Sequence, residues 1–391
     1  MRFFNNESEE NMEQIFYKKP SYFTKYTDRN WLAYCIGAAL YMPATREKIA
    51  EDLLNNKFPE LTSIIIDLED AVGDNQIEQA LHNLDKNITT LFQALSLNTL
   101  HYEQLPLLFI RVRNPKQLAE VISLLGEKQS VLTGYVFPKF SASNGLEFFQ
   151  LLKAQNDLGY RLYGMPILES DEVIFKERRF ESLLAIRELL IEYYDYVLNV
   201  RIGTTDFCGL FGIRRKVDTT IYDVVIIRDC IADIINILNR TEHHFVISGP
   251  VWEYFSHEDR ILRPKLRESP FQRRYGKAGI ERRKQLISDY IDGLINEVLL
   301  DQLNGIVGKT IIHPTHIQTV NALYVVTHEE YIDALAIMEN SNGQIGVKKS
   351  EYQNKMNEIK PHLNWAERIL KRASIYGVYN PKEDYTSLIL K

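Results

Sequence analysis

The chain predicts an α/β fold, a closed (β/α)8 TIM barrel, and three observations carry that expectation. Short apolar, β-branched runs alternate with longer segments whose apolar residues recur at helical spacing. Several runs are continuously apolar through their first half, the pattern of strands covered on both faces in a parallel sheet. Charged residues, which are depleted inside strands, gather where these runs end.

In chain order the strands are read at 38–43, 63–69 (SIIIDLE), 107–113 (LLFIRVR), 134–139 (GYVFPK), 162–169 (LYGMPILE), 196–206, 244–252 and 306–314 (IVGKTIIHP). Helical spacing fills 46–56, 76–97, 115–127, 172–194, 222–239 and 281–303 between them. Eight strands in strict alternation suit a closed barrel better than an open doubly wound sheet. An open sheet would be favoured by a glycine-rich phosphate turn after the first strand. That turn reads Met42-Pro43-Ala44-Thr45-Arg46.

Three regions follow. Residues 1–31 form a polar N-terminal extension, 32–340 the barrel, and 341–391 a C-terminal lid or helical extension that opens on the flexible stretch SNGQIG. Within the barrel, 260–284 is a basic insertion with ten Lys or Arg against two acids, Glu268 and Glu281.

With 45% hydrophobic and 25% charged residues, the 391-residue chain can bury a core that needs no disulfide staples. Cys35, Cys208 and Cys230 are odd in number and far apart, in no zinc or CxxC spacing, so reduced buried thiols are expected. The N-terminus MRFFNNESEENMEQ lacks the basic start and apolar run of a signal peptide. No stretch reaches the roughly 18 uninterrupted apolar residues of a membrane span. A cytoplasmic protein is therefore expected, without a membrane partner. A net charge of −6 argues against a general nucleic-acid binder.

The active site of such a barrel forms at the C-terminal ends of its strands. The second predicted strand ends in Asp67-Leu68-Glu69-Asp70, the third in Arg111 and Arg113, the fourth in Lys139, the fifth in Glu169, the sixth in Asp206 and the eighth in His313. Carboxylates from neighbouring strands can converge on a hard cation, and Mg²⁺ usually takes one or two of them together with water and substrate. An arginine nearby offers a planar fork to a substrate carboxylate. These residue types describe a site for a small anionic carboxylate held on a metal.

The motifs IIIDLEDAV (64–72), LFIRVRNP (108–115), VFPK (136–139), MPILES (165–170), IGTTDFCGLFGIRR (202–215) and GKTIIHPTHIQTVN (308–321) follow one another in an order and spacing that resemble the HpcH/HpaI aldolase and citrate lyase β-subunit family. The resemblance covers about residues 32–340 and is greatest to the divergent branch of C–C bond lyases of the TIM-barrel fold associated with tellurite-resistance and stress clusters. It implies a barrel of the PEP/pyruvate-binding type with Mg²⁺ as cofactor. By the same resemblance Glu169 and Asp206 hold the metal, and Arg111 holds the substrate carboxylate and stabilises enolate charge. Glu69 and Asp70 order a metal-bound water and position Arg111, while Lys139 stands at the fourth strand end.

Two departures are visible. Where the family has arginine, a spacer and asparagine, this chain has Arg111-Val112-Arg113, which adds Arg113 as a second substrate-binding cation. The family's C-terminal lid motif, with an acid donated across a subunit interface, has its nearest match in Asn354-Lys355-Met356-Asn357-Glu358. Glu358 is then a candidate general acid/base delivered in trans within a homo-oligomer.

The function implied is a Mg²⁺-dependent carbon–carbon lyase or synthase, of aldol or Claisen type, acting through a metal-stabilised enolate on a small oxo- or hydroxy-acid or its CoA thioester. Thioester hydrolysis on the same scaffold is one alternative, and a non-catalytic barrel serving as a binding or assembly subunit is another.

Several motifs have plainer readings. Asp70 and Asp206 could cap local turns, and Arg113 could pair structurally with Glu69. His313 and His316 are three apart, but Pro314 intervenes, so a shared metal face does not follow, and a structural His313 is favoured. Gly308-Lys309-Thr310 is not a Walker motif, because Leu303 occupies the position of the required first glycine. The basic run 260–284 reads equally as a solvated or subunit-contact surface and as a clamp for the phosphates of CoA or another phosphorylated substrate.

Overall fold

The computed structural model describes residues 1–255 and 289–389, so the basic segment 260–284 lies outside the described residues. Eight parallel strands close into a barrel in chain order. They are β1 (Ala38–Pro43), β2 (Ser63–Asp67), β3 (Leu107–Arg111), β4 (Gly134–Phe137), β5 (Tyr163–Leu168), β6 (Val200–Ile202), β7 (Ile247–Trp252) and β8 (Lys309–Ile311). β8 pairs back onto β1, with Lys309 opposite Ala38 and Ile311 opposite Leu40, so the sheet keeps no edge. Ile64, Ile65 and Ile66 of β2 and Leu108, Phe109 and Ile110 of β3 are all fully buried. Their runs lack polar alternation because one face fills the barrel and the other lies under helices.

β1 and β7 end where the sequence predicts, and the other strands stop earlier. β2, β3 and β4 end two residues before Glu69, Arg113 and Lys139, and β6 spans only Val200–Ile202 within the predicted 196–206. The cause at β6 is local. After Gly203 the chain turns into a short helix, Thr204–Leu210, so Asp206 sits in a first helical turn and not at a strand end.

The helices predicted at 46–56, 76–97, 115–127 and 222–239 appear as Ile49–Leu54, Ile77–Ser96, Pro115–Leu125 and Val225–Leu238. The described part of the last, within 281–303, is Asp289–Leu303. The segment 172–194 is two helices, Asp171–Ile174 and Lys176–Glu192, broken at the extended Phe175. Buried Arg179 stabilises the break. It donates to the Val173 and Ile174 carbonyls at 3.2 and 2.6 Å and pairs with Asp229 and Asp233 at 2.9 and 2.7 Å.

Lys309, the lysine of the rejected phosphate-loop motif, belongs to the core. Its ammonium pairs with Glu297 at 3.0 Å and Asp301 at 2.7 Å, and all three residues are 0% exposed. This pairing fastens helix Asp289–Leu303 to β8, and a charge so enclosed persists because it is matched.

The two ends of the chain meet. The N-terminal segment carries its acids outside but buries Phe3, Phe4, Met12, Ile15 and Phe16. Strand Phe16–Lys18 pairs antiparallel with Val378–Tyr379, and the Phe3 ring stacks on Tyr376 at 4.3 Å between centroids. Helix Ile359–Tyr376 packs on helix His328–Glu339 through Ala334, Ile337, Ile359, Ala366, Ile369 and Ala373. The three cysteines are buried and unbridged, and no described helix is long and apolar enough to cross a membrane.

Candidate active site

A cavity of about 380 Å³ opens at the C-terminal mouth of the barrel. Tyr41 and Pro43, Ile167 and Glu169, Arg201 and Gly203, and Thr310 and Ile312 line it in pairs two residues apart, as the period of a strand requires. Asp67, Asp70, Arg111, Thr205 and Asp206 complete most of the wall.

Arg111 is the last residue of β3, opposite Asp67, the last of β2. That register produces a two-point ion pair, Nε to Oδ1 and Nη2 to Oδ2, both at 2.6 Å, with Asp67 1% exposed. The Arg111 Nη1 atom lies 2.7 Å from Glu69 Oε2 and 3.2 Å from Asp70 Oδ2. Asp67 also accepts from the Glu69 and Ala71 backbone N–H groups at 3.0 and 3.1 Å, which fixes the acidic turn that follows β2.

Lys139 reaches the same cluster from β4. Its φ of 46° is left-handed, a conformation that costs a non-glycine residue about 1–2 kcal/mol. The turn aims its backbone N–H at Glu169 Oε1, 2.8 Å away, while its ammonium pairs with Glu69 and lies 3.7 Å from Asp206 and 4.0 Å from Asp70. Burial opposes the ammonium, but Glu69, with Asp206 and Asp70 behind it, raises its pKa above the usual value.

Glu169 and Asp206 form the acidic centre. Glu169 is 4% exposed, and its carboxyl is pushed up to about 8 by burial and by the neighbouring Asp206. Burial also raises Asp206, with Asp70 adding to it and Lys139 opposing. Glu69 is raised by burial against the pull of Arg111 and Lys139. A Cβ at position 203 would stand 2.1 Å from Glu169 Oε2, so only glycine lets the backbone pass the carboxylate here. Among the described residues, no three His, Cys, Asp or Glu side chains form a ready-made metal cage. Two carboxylates suffice for Mg²⁺, which fills its remaining positions with water and substrate. The mutual repulsion of Glu169 and Asp206 is the strain that a divalent cation relieves, and the donor set fits.

The structure thus brings together Glu69, Asp70, Arg111, Lys139, Glu169 and Asp206. It does not bring Arg113 or Glu358 to them. The Arg113 guanidinium turns away, donating to the Leu68 and Val72 carbonyls at 2.9 and 2.6 Å and pairing with Asp74 at 2.5 Å. It staples the acidic turn from outside. Glu358 is exposed on the hairpin Val347–Lys349/Met356–Glu358, which is tied to helix His328–Glu339 by Lys355 and by Asn357 donating to Asp333 at 2.8 Å. Among the described residues, none from this tail lines the cavity. His313 stacks on Phe255 at 4.5 Å, and its neighbour His316 is buried.

Three residues without an assigned role in the sequence stand in or beside the cluster: Asp67, Tyr41 and Arg201. Asp67 was visible only as part of an acidic string. The Tyr41 ring lies 5.1 Å from the Arg111 guanidinium and 5.8 Å from that of Arg201. Arg201 could have been flagged as a lone charge in the middle of a predicted strand.

The family model described as the C–C bond lyase of the TIM-barrel fold matches residues 30–378. No curated protein sequence is a significant match. Among solved structures, CitE from Mycobacterium tuberculosis in complex with magnesium, acetoacetate and coenzyme A superposes with a TM-score of 0.52 at 18% identity, covering 87% of this chain and 99% of that one. A citrate lyase from Burkholderia xenovorans LB400 gives 0.58 at 15% identity, over 90% and 96% of the two chains. At these identities the likeness speaks to the fold.

Proposed function

The chain belongs to the family of C–C bond lyases of the TIM-barrel fold, and from that premise we propose that it is a Mg²⁺-dependent carbon–carbon lyase or synthase acting on a small oxo- or hydroxy-acid. The observation that carries the reading is the pairing of buried Glu169 with Asp206 at the barrel mouth, where burial raises the proton affinity of both carboxylates and Asp206 adds to that of Glu169, while Arg111 stands beside them. Glu169 and Asp206 would hold Mg²⁺, which when bound supplies a Lewis acid and a template for the substrate's carboxylate and adjacent oxygen. The CitE structure holds magnesium, a short oxo acid and coenzyme A. The first two suit this mouth.

The chain's own residues divide the remaining work. Arg111 faces the cavity with its orientation locked by Asp67, so its charge is in place before substrate arrives. It offsets negative charge that develops on the substrate oxygen as the carbon–carbon bond breaks or forms. Glu69, raised by burial, is the internal group suited to hold and return a proton, and Lys139 keeps its carboxylate oriented. Glu358 would take part only if a second copy of the chain delivered it, since its own chain holds it outside the cavity wall.

Calorimetric titration of Mg²⁺ into the native chain and into Asp206→Ala tests the assignment. The native chain should bind one Mg²⁺ per active site, and the variant should lose binding while keeping its circular dichroism spectrum. Unchanged affinity in Asp206→Ala refutes the metal site.

A further inference from the structure

The two carboxylates of the acidic centre are held differently. Glu169 directly follows β5, whereas Asp206 lies in the first turn of the seven-residue helix Thr204–Leu210. The N-cap of that helix is Gly203, which has no side chain to offer its free N–H groups. The backbone bond that opens the turn, from the Phe207 N–H to the Gly203 carbonyl, is long at 3.4 Å. Buried Phe207 anchors the helix by packing. A second anchor comes from the residue beside Asp206, where Thr205 Oγ1 donates to Glu253 Oε1 at 2.9 Å.

Glu253 directly follows β7 and does not line the cavity. Its other oxygen, Oε2, lies 3.3 Å from Nε of Arg215, so one carboxylate spans from Arg215 to Thr205. Arg215 is a fixed point. Its side chain is 2% exposed, its Nη1 pairs with buried Glu297, and its Nη2 donates to the Val251 carbonyl. Its guanidinium also lies 4.7 Å from the centre of the buried Trp252 ring. Glu297 is held in turn by Lys309 at 3.0 Å and by the Ile221 N–H at 2.8 Å. A buried network of this kind resists displacement, because any charge left without its partner is costly. An unbroken chain of contacts therefore runs from Lys309 on β8 to the residue next to Asp206.

We propose that Glu253 is a positioning residue for the metal site, fixing through Thr205 where the Asp206 carboxylate stands. The proposal rests on the metal-site reading above and adds to it a residue outside the cavity wall. Mg²⁺ demands near-ideal octahedral geometry, so a ligand that drifts holds it less well. Groups that support metal ligands from behind are worth about tenfold to a hundredfold in affinity. Without Glu253, the Lys139 ammonium, 3.7 Å from Asp206, draws that carboxylate toward Glu69 and Asp70, with which it also pairs.

The test is a double-mutant cycle read by Mg²⁺ calorimetry on the full native chain, Thr205→Val, Glu253→Ala and the two combined. Each single variant should bind Mg²⁺ about tenfold more weakly with an unchanged circular dichroism spectrum. The double variant should lose no more than either single one, because both cut the same link. Glu253→Gln should keep near-native affinity, since its amide can still meet the Arg215 guanidinium and the Thr205 hydroxyl. Should Glu253→Ala fail to fold, Glu253→Met, which fills the space, takes its place in the cycle. Losses that add in the double variant overturn the proposal, as does a loss confined to Thr205→Val, which would put that hydroxyl on the metal itself. An equal loss in Glu253→Gln and Glu253→Ala would make the effect one of charge at a distance and overturn it too. A lowered thermal midpoint with native Mg²⁺ affinity in both single variants would reduce Glu253 to a structural part. Each of these results leaves the metal site standing. Failure of the native chain to bind Mg²⁺ overturns the metal-site reading and this proposal together.

Discussion

Asp67 grips Arg111 through both carboxylate oxygens at 2.6 Å, and neither side chain is more than 9% exposed. A pair this enclosed loses more on being broken than it contributed on being made, because the survivor keeps its charge without a partner. Asp67→Ala should lower the unfolding free energy by about 3 kcal/mol in urea titrations. It should also free the Arg111 fork to wander. A variant with native stability would mean that Glu69 and Asp70 alone can hold the arginine.

Gly203 gives a second prediction, this time about space. Gly203→Ala puts a methyl group where Glu169 Oε2 now lies, 2.1 Å from the ideal Cβ position. The glutamate must swing aside, so Mg²⁺ affinity should fall by tenfold or more, about 1.4 kcal/mol, while the barrel stays folded. Native Mg²⁺ affinity in this variant would show that Glu169 is not a ligand.

For Arg113 the structure predicts a role in the loop and not in binding. Arg113→Asn removes two bonds to backbone carbonyls and a partly exposed pair with Asp74. Stability should drop by about 1–2 kcal/mol, with substrate KM unchanged. A rise in KM without loss of stability would return Arg113 to the substrate.

His316 predicts how the fold responds to acid. Its ring is 0% exposed, and burial, with His313 nearby, pushes its pKa down to about 4 from an ordinary 6.5. Between those values the unfolded chain takes up a proton that the folded chain refuses, so stability falls as pH drops through the window. His316→Leu should therefore reduce the stability lost between pH 7 and pH 4.5 by about 2 kcal/mol. Parallel losses in the native protein and the variant would place the acid sensitivity elsewhere.

Much of this site was legible in the sequence because a barrel converts strand order into position around a ring. Glu69, Asp70, Arg111, Lys139 and Glu169 come within reach of one another simply by following successive strands, and Asp206 joins them from the turn after β6. Reading failed where side-chain direction matters. Arg111 and Arg113 share strand parity, yet the strand ends at Arg111, and beyond it the backbone turns the second arginine outward. Asp67 looked like one acid among three. Only the register against Arg111 distinguishes it from Glu69 and Asp70. Arg201 stood out only as a charge inside a largely apolar run, and that alone does not say which face of the strand it takes. The tail motif around Glu358 was recognisable as residues, but its hairpin is docked on helix His328–Glu339 by Lys355 and Asn357, contacts that no short motif encodes.

The seam between Phe16–Lys18 and Val378–Tyr379 has a consequence for how the chain is made. The aromatic rings on one side of the seam have their stacking partners on the far side of the barrel in chain order. Until Tyr376 and Tyr379 emerge, Phe3 and Phe16 lack the rings they stack on. Phe3 and Phe16 therefore stay uncovered while the barrel between the two strands is synthesised. A protein stopped before Val378 should be recovered in inclusion bodies, whereas one stopped after Tyr379 should be recovered in solution.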